Sequence, residues 1–265
     1  MREFTEQELV RRDKIKEIKE FCNPYPERYE TNYSLKEASN LEDGTKDVKV
    51  AGRIVFMRKM GKLSFLKIRD IEGDLQVSIK IDLVGEEKYK FFKTMVDLGD
   101  FIGVVGEMFT TQTGEKTLRA DDFTFLGKAL KPLPEKFHGV TDPEICYRNR
   151  YLDLIMNEST RKRFLLKYEF IKEIRRFLED DGYIEIETPV LSNKASGASA
   201  RPFTAHHNAL DIDVYLRIAP ETYLKRAVVG GFTKVFEFAR CFRNEGIDAT
   251  HLQDFTMLEC YAAYY

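Results

Sequence analysis

The sequence has no surplus of charge of either sign. Its 265 residues hold 42 lysines and arginines against 44 aspartates and glutamates, a formal net charge of -2. That balance excludes a chain held to nucleic acid by a global positive field, while a local basic row can still serve. Cysteine is sparse and unpatterned: Cys22, Cys146, Cys241 and Cys260 have no CxxC or similar spacing. This argues against a zinc site and reads as four free thiols in a reducing cytosol. No apolar run approaches the length of a membrane span, and Met1-Arg-Glu-Phe-Thr-Glu lacks the apolar stretch of a signal peptide. A soluble cytoplasmic protein with no membrane association is expected. Internal repeats and low-complexity segments are missing too. What remains is enough chain for two domains, each with its own core.

Residues 5–21 predict an amphipathic helix, with Thr5 and Glu8 as a capping box and Leu9, Ile15, Ile18 and Phe21 as its apolar positions. Its basic residues alternate with acidic ones and read as a solvated face. From Asp47 the pattern changes to short strands. Val48, Val50, Ile54 and Phe56 alternate with Lys49, Ala51 and Arg53; Leu66 and Ile68 with Phe65, Lys67 and Arg69; Leu75, Val77 and Ile79 with Gln76, Ser78 and Lys80. A short helix and two further strands follow, up to about Leu126. Three strands, a helix and two strands are the element order of an oligonucleotide-binding (OB) barrel. Parity sets Phe65 on the polar face beside Lys67 and Arg69. There it serves as a stacking platform for a splayed base, or else packs under a loop; parity alone does not choose.

Residues 128–150, with Pro132, Pro134 and Pro143 among turn residues, read as a linker. His138 reads as structural, since nothing nearby makes a constellation with it. A second domain opens with a helix over about Ser159–Asp180, apolar at Phe164, Tyr168, Ile171, Ile174 and Leu178. A short strand from Tyr183, stopped by Pro189, follows. The small-residue loop Ser192–Arg201 contains Gly197, where a ligand can approach the backbone. Pro220 suits the first position of a helix that Gly230 and Gly231 terminate, and Glu221 there complements the helix dipole.

The last thirty residues organise the chain. Two aromatic-rich runs flank a polar stretch around Gly246, predicting two antiparallel strands joined by a long loop. Glu237, Cys241 and Arg243 share one face of the first strand; Phe255, Met257, Glu259 and Tyr261 share one face of the second. If the two faces coincide, a guanidinium, two carboxylates and two aromatic rings converge on one surface. Glu259, flanked by apolar neighbours, needs a cationic partner, either Arg243 or Arg240 internally or a ligand.

Phe242-Arg243-Asn244-Glu245 resembles motif 2 of the class II aminoacyl-tRNA synthetases. The longer string through His251, Phe255, Thr256, Met257, Glu259, Cys260 and Tyr261 resembles the lysine-specific branch of class IIb, as do residues 128–143 and Tyr147–Leu154. The resemblance implies an α+β protein: an N-terminal helical extension (1–46), an OB-fold anticodon-binding domain (47–127), a linker (128–150) and the first part of a class II catalytic domain (151–265). It implies an ATP- and Mg2+-dependent ligase that activates L-lysine and transfers it to tRNA(Lys), working as a homodimer through the helix and strand of motif 1. Arg243 is then the catalytic cation on the α-phosphate, with Glu245, His251 and Phe255 also on ATP. Gly197 and Glu221 hold the α-amino end of lysine, and Glu259 and Tyr261 its side-chain ammonium. Phe65 and Gln76 read the anticodon, joined by Arg53, Arg58 and Glu115.

Departures from the family pattern are confined to the hairpin loop and the end of the chain. Leu252-Gln253-Asp254 stands where many members have Asn-Pro-Glu, and Thr250 where bacterial relatives carry arginine. No motif 3 is present before Tyr265, and the magnesium ligands are expected beyond that position. The sequence thus reads as about the first half of the family pattern, and the 265-residue chain alone is not expected to form lysyl-adenylate at a normal rate. A related aspartyl or asparaginyl ligase and a non-catalytic RNA-binding paralogue are the other readings; an acidic substrate calls for basic residues in place of Glu259.

Overall fold

The computed structural model describes residues 3–134 and 140–264, so His138 lies outside the described residues. The chain divides into two compact units, Met1–Arg161 and Lys162–Tyr265.

In the first unit, helix α1 (Glu6–Phe21) starts at the expected box: the Thr5 hydroxyl accepts from the Glu8 N–H, and the Glu8 carboxylate accepts from the Thr5 N–H. Of the predicted apolar positions only Ile18 is fully buried, and Leu9 is exposed. The helix is instead tied down through its polar positions. Arg11 donates to the Leu98 and Ala129 carbonyls, Lys14 pairs with Asp97 at 2.8 Å, and Phe21 stacks on Phe91 with centroids 4.5 Å apart. Two cations read as solvated are therefore structural. A second box at Ser34 and Glu37 opens the short helix α2 (Leu35–Ser39).

Strands β1 (Val48–Lys59), β2 (Leu63–Arg69) and β3 (Asp74–Lys80), helices α3 (Ile81–Val84) and α4 (Glu86–Met95), and strands β4 (Phe101–Thr110) and β5 (Lys116–Gly127) follow in that order. The strands close into a barrel, β1-β2-β3-β5-β4, antiparallel except at β3–β5. Ile54, Leu66, Ile68, Leu75, Val77, Ile79, Ile102 and Leu118 fill its interior. One position departs from simple alternation. The β1–β2 register shifts between Ile54 and Phe56, so Val55 turns inward, 4% exposed, and Phe56 is 44% exposed rather than in the core. A bulge inserts one residue and reverses the parity of everything after it.

Where β5 ends, Lys128 is buried. Its Nζ donates to Asp97 at 2.5 Å, to Asp100 at 2.8 Å and to the Met95 carbonyl. Beyond it, α5 (Pro143–Arg148) is capped by Asp142 and α6 (Arg150–Met156) follows.

Helix α7 (Glu158–Asp180) leads into the second unit. Of its predicted apolar stripe only Leu178 is buried. Phe164 and Tyr168 are exposed, and their neighbours Leu166 and Phe177 are 70% and 72% exposed. The stripe is therefore not the core of this unit, a distinction that periodicity alone does not make. The strand expected from Tyr183 pairs over two residues, β6 (Ile184–Glu185), parallel to Val235 and Phe236. After β7 (Leu191–Ser192), β8 (Thr204–His207), β9 (Ile212–Leu216) and α8 (Glu221–Val229) comes the hairpin of β10 (Lys234–Phe242) and β11 (Asp254–Ala262). Two three-stranded sheets result, β11-β10-β6 and β7-β9-β8.

Replacing Lys128 with alanine leaves the buried Asp100 carboxylate without its cation, while Asp97 keeps Lys14. A loss of about 3–5 kcal/mol is expected by chemical denaturation, and a loss below about 1 kcal/mol would show the pairing to be dispensable.

Candidate nucleic-acid face and ligand pocket

The barrel register aligns two rows of side chains on the parity opposite to the core, with Ser78 and Thr117 themselves buried. One row runs Arg58, Phe65, Ser78, Arg119 and Glu107 across β1, β2, β3, β5 and β4; the next runs Phe56, Lys67, Gln76, Thr117 and Phe109. Lys67 pairs with Glu115 at 3.0 Å, and Gln76 Nε2 donates to Thr117 Oγ1 at 2.9 Å. Arg119 reaches Glu107 at 2.9 Å and lies 5.7 Å from the centre of the Phe109 ring. Arg58, Phe65, Gln76 and Glu115 are thus neighbours on one aromatic and basic face, the composition suited to stacking bases and meeting phosphates. Arg53 is set apart from them. It pairs opposite Arg69 on the far side of the bulge, donates to the Gly99 carbonyl at 2.9 Å and covers Phe101 at 4.1 Å. Phe56, Phe109 and Arg119 escaped the sequence reading; the first is hidden by the bulge, and the other two follow from parity once β4 and β5 are paired.

In the second unit the β10–β11 register sets Cys241 opposite Phe255, Glu237 opposite Glu259 and Val235 opposite Tyr261. The two predicted faces therefore coincide. Glu237, however, is buried and already matched: Arg217 Nη1 donates to it at 2.6 Å, and so does the Thr188 hydroxyl. Only one of the two carboxylates is open to a ligand.

That carboxylate is Glu259. Arg240 pairs with Asp254 instead, and no ion pair involves Glu259 among the described residues. Burial pushes its carboxyl above the usual range, and the Tyr261 hydroxyl, which donates to Oε2 at 3.1 Å, pulls the other way. Burial and the bond to Glu259 also push the Tyr261 phenol up. Gly197 has φ +87°, and a Cβ there would stand 3.0 Å from the Glu221 Cβ. That contact requires glycine twice over, for conformation and for space. Glu221 faces the same region, its charge adding to the upward shift of Glu259 and Tyr261.

Beside this acidic site, a cavity of about 420 Å³ is lined by Arg243, Glu245, Gly246, Thr250, His251, Leu252 and Phe255. The Arg243 guanidinium lies 5.1 Å from the Phe255 ring centre, and its Nε is buried without a hydrogen-bond partner. A buried donor in that condition awaits an acceptor. The loop is shaped by Asp248, which accepts from the backbone N–H groups of Thr250 and His251 and contacts the His251 ring at 2.8 Å; these bonds hold its carboxyl far below the usual range. Glu245 Oε1 accepts from the Arg201 N–H at 3.2 Å, and the Asn244 N–H donates to the Arg201 carbonyl at 2.7 Å. The sequence reading missed Arg201, whose backbone fastens the small-residue loop to the hairpin; a backbone role leaves no mark in residue type.

Residues 142–265 match the family described as tRNA synthetases class II (D, K and N), and residues 48–126 match the OB-fold nucleic acid binding domain. The chain is 48% identical to a lysine-tRNA ligase of Enterococcus faecalis over 274 residues, covering 100% of this chain and 55% of that protein. It is 47% identical to one of Streptococcus pneumoniae with the same coverage, and 48% identical to one of Streptococcus agalactiae over 99% of this chain and 55% of that protein. The chain thus spans about half the length of these curated relatives.

Tyr261→Phe removes the bond that opposes the upward shift of Glu259, so the Glu259 carboxyl should titrate higher still in carbon-detected NMR. A folded carboxyl raised above its unfolded value favours the folded chain at low pH, a contribution lost as pH rises through the folded value. An unchanged or lower Glu259 midpoint in the variant would contradict the assignment.

Proposed function

With residues 142–265 belonging to the class II tRNA synthetases of the D, K and N type, and residues 48–126 to the OB-fold nucleic-acid-binding domains, we propose that the chain is part of a lysine-tRNA ligase. Such an enzyme activates L-lysine with ATP and delivers it to tRNA(Lys) in the cytoplasm. In the first step a carboxylate oxygen of lysine attacks the α-phosphorus of ATP and pyrophosphate leaves. In the second a terminal ribose hydroxyl of the tRNA attacks the carbonyl carbon and AMP leaves.

The observation that carries the reading is Glu259, a half-buried carboxylate with no ion-pair partner among the described residues, bonded by Tyr261 and beside a cavity lined by Arg243, whose buried Nε has no acceptor. A lysine ammonium completes that carboxylate. An aspartate or asparagine side chain does not, which sets aside the related ligases sharing this architecture. Gly197 and Glu221 then take the α-amino end. Arg243 meets the α-phosphate and offsets the repulsion between two anions; since its charge is fixed and in place before reaction, it is worth most as negative charge builds. The adenine lies on Phe255, with Glu245 and His251 within the same cavity. Catalysis is positioning and charge stabilisation, without a covalent enzyme intermediate.

Magnesium neutralises phosphate charge in such reactions. Among the described residues no group of three or more His, Cys, Asp or Glu side chains is placed to hold a metal ion. On the barrel, Phe65 stacks an anticodon base and Gln76 reads its edge, with Arg58 and Glu115 adjacent and Arg53 at the margin. The exposed apolar side chains of α7, Leu166 and Phe177 among them, support dimerisation through this helix. No helix among the described residues is long and apolar enough to cross a membrane.

The test is ATP-pyrophosphate exchange by the product of the complete reading frame that carries this sequence. Exchange should depend on L-lysine and not on L-aspartate, and Arg243→Ala should reduce it at least about 100-fold. Aspartate-dependent exchange, or none with either amino acid, would overturn the reading. Separately, Phe65→Ala should weaken tRNA(Lys) binding about tenfold in a filter assay while leaving exchange unchanged; undiminished tRNA binding would remove Phe65 from the recognition face.

A further inference from the structure

One cation already stands beside the acidic pocket. Lys225 lies one turn along α8 from Glu221. Its Nζ donates to Glu221 Oε1 at 2.6 Å and sits 5.5 Å from the centre of the Tyr261 ring. A Glu-Lys pair four residues apart on a helix is ordinary by itself. This one differs in its surroundings: the acid packs against Gly197, and the aromatic ring beside the ammonium carries the hydroxyl bonded to Glu259. Among the described residues no other ion pair involves Glu221 or Glu259.

We propose that Lys225 is a tethered competitor for the α-ammonium of the amino-acid substrate. In the empty site its primary ammonium occupies the Glu221 carboxylate and the Tyr261 ring, and substrate lysine displaces it. The inference rests on Gly197 and Glu221 forming the α-amino end of the lysine site. The displaced and displacing groups are both primary ammoniums, so the exchange conserves the charge-assisted hydrogen bond. The Lys225 side chain is 57% exposed on a flexible four-carbon stem and has solvent to move into. The tether offsets the charge of Glu221 in the empty pocket and lowers the affinity of any amine that must reach it. Lys225 is thus a positioning residue.

Calorimetric titration of the product of the complete reading frame with L-lysine, and with 6-aminohexanoate, which keeps the side-chain ammonium and the carboxylate but lacks the α-ammonium, tests this. Lys225→Met preserves helix propensity on an exposed face and should bind L-lysine about fivefold more tightly, the scale of one favourable exposed ion pair. Lys225→Arg, which keeps the charge, should retain the unmodified Kd, and 6-aminohexanoate should bind all three proteins alike. Equal or weaker lysine binding by Lys225→Met overturns the proposal. An equal gain for 6-aminohexanoate overturns the placement at Glu221. Failure of all three proteins to bind lysine overturns the lysine-site reading itself, and this inference with it.

Discussion

The buried ion pair between Arg217 and Glu237 is the constraint on which the second unit depends. Both side chains are almost fully removed from solvent, a state that costs more than the attraction returns unless every donor and acceptor is used. Here they are used. Arg217 donates to Glu237 at 2.6 Å, to the Thr188 carbonyl and hydroxyl at 2.9 Å, and through Nε to the Arg240 carbonyl at 2.8 Å; its own carbonyl accepts from the Phe242 N–H. One residue thereby grips β10 at both ends of its last turn of register, immediately before Arg243 leaves the strand. It also removes Glu237 from the ligand's reach. What remains on the shared face is a single open carboxylate, Glu259, and the charge of the pocket follows from that subtraction.

The barrel obeys a different rule. Its aromatic and basic face, the candidate for recognition, is set by strand parity, and parity is reset by one bulge. Because Val55 turns inward, Phe56 and Arg58 join the rows that hold Lys67 and Phe65, while Arg53 stays on the other side of the discontinuity. The same face carries carboxylates paired to its cations, Glu115 with Lys67 and Glu107 with Arg119. These pairings hold local positive charge in place in a chain of nearly balanced composition, consistent with recognition by stacking and edge contacts more than by a long-range field.

Much of this was legible in the residues. Alternation gave five barrel strands in their order along the chain, the Thr5 and Glu8 box gave the start of α1, and the two aromatic runs gave the final hairpin, whose faces only the register brings together. The failures have physical causes. Phe56 was misplaced because a bulge leaves no signal in period-two alternation. Leu9 was counted as core because an amphipathic pattern does not reveal a helix anchored by Arg11 and Lys14. The exposure of the α7 stripe was not decidable from periodicity, which is the same for a core stripe and for an outer one. Glu237 seemed open because its partner, Arg217, lies twenty residues away and only the fold joins them. Arg201 leaves no mark in the sequence because it works through its backbone.

Glu259 is the carboxylate proposed to be completed by the ligand's ammonium. The most direct measurement is L-lysine affinity in Glu259→Gln, an isosteric change that removes the charge, with ATP affinity measured alongside. A loss of about 100-fold for lysine, the scale of one charge-assisted bond in a half-buried site, with ATP binding unchanged, is the predicted result. Lysine binding equal to that of the unmodified protein would contradict the account.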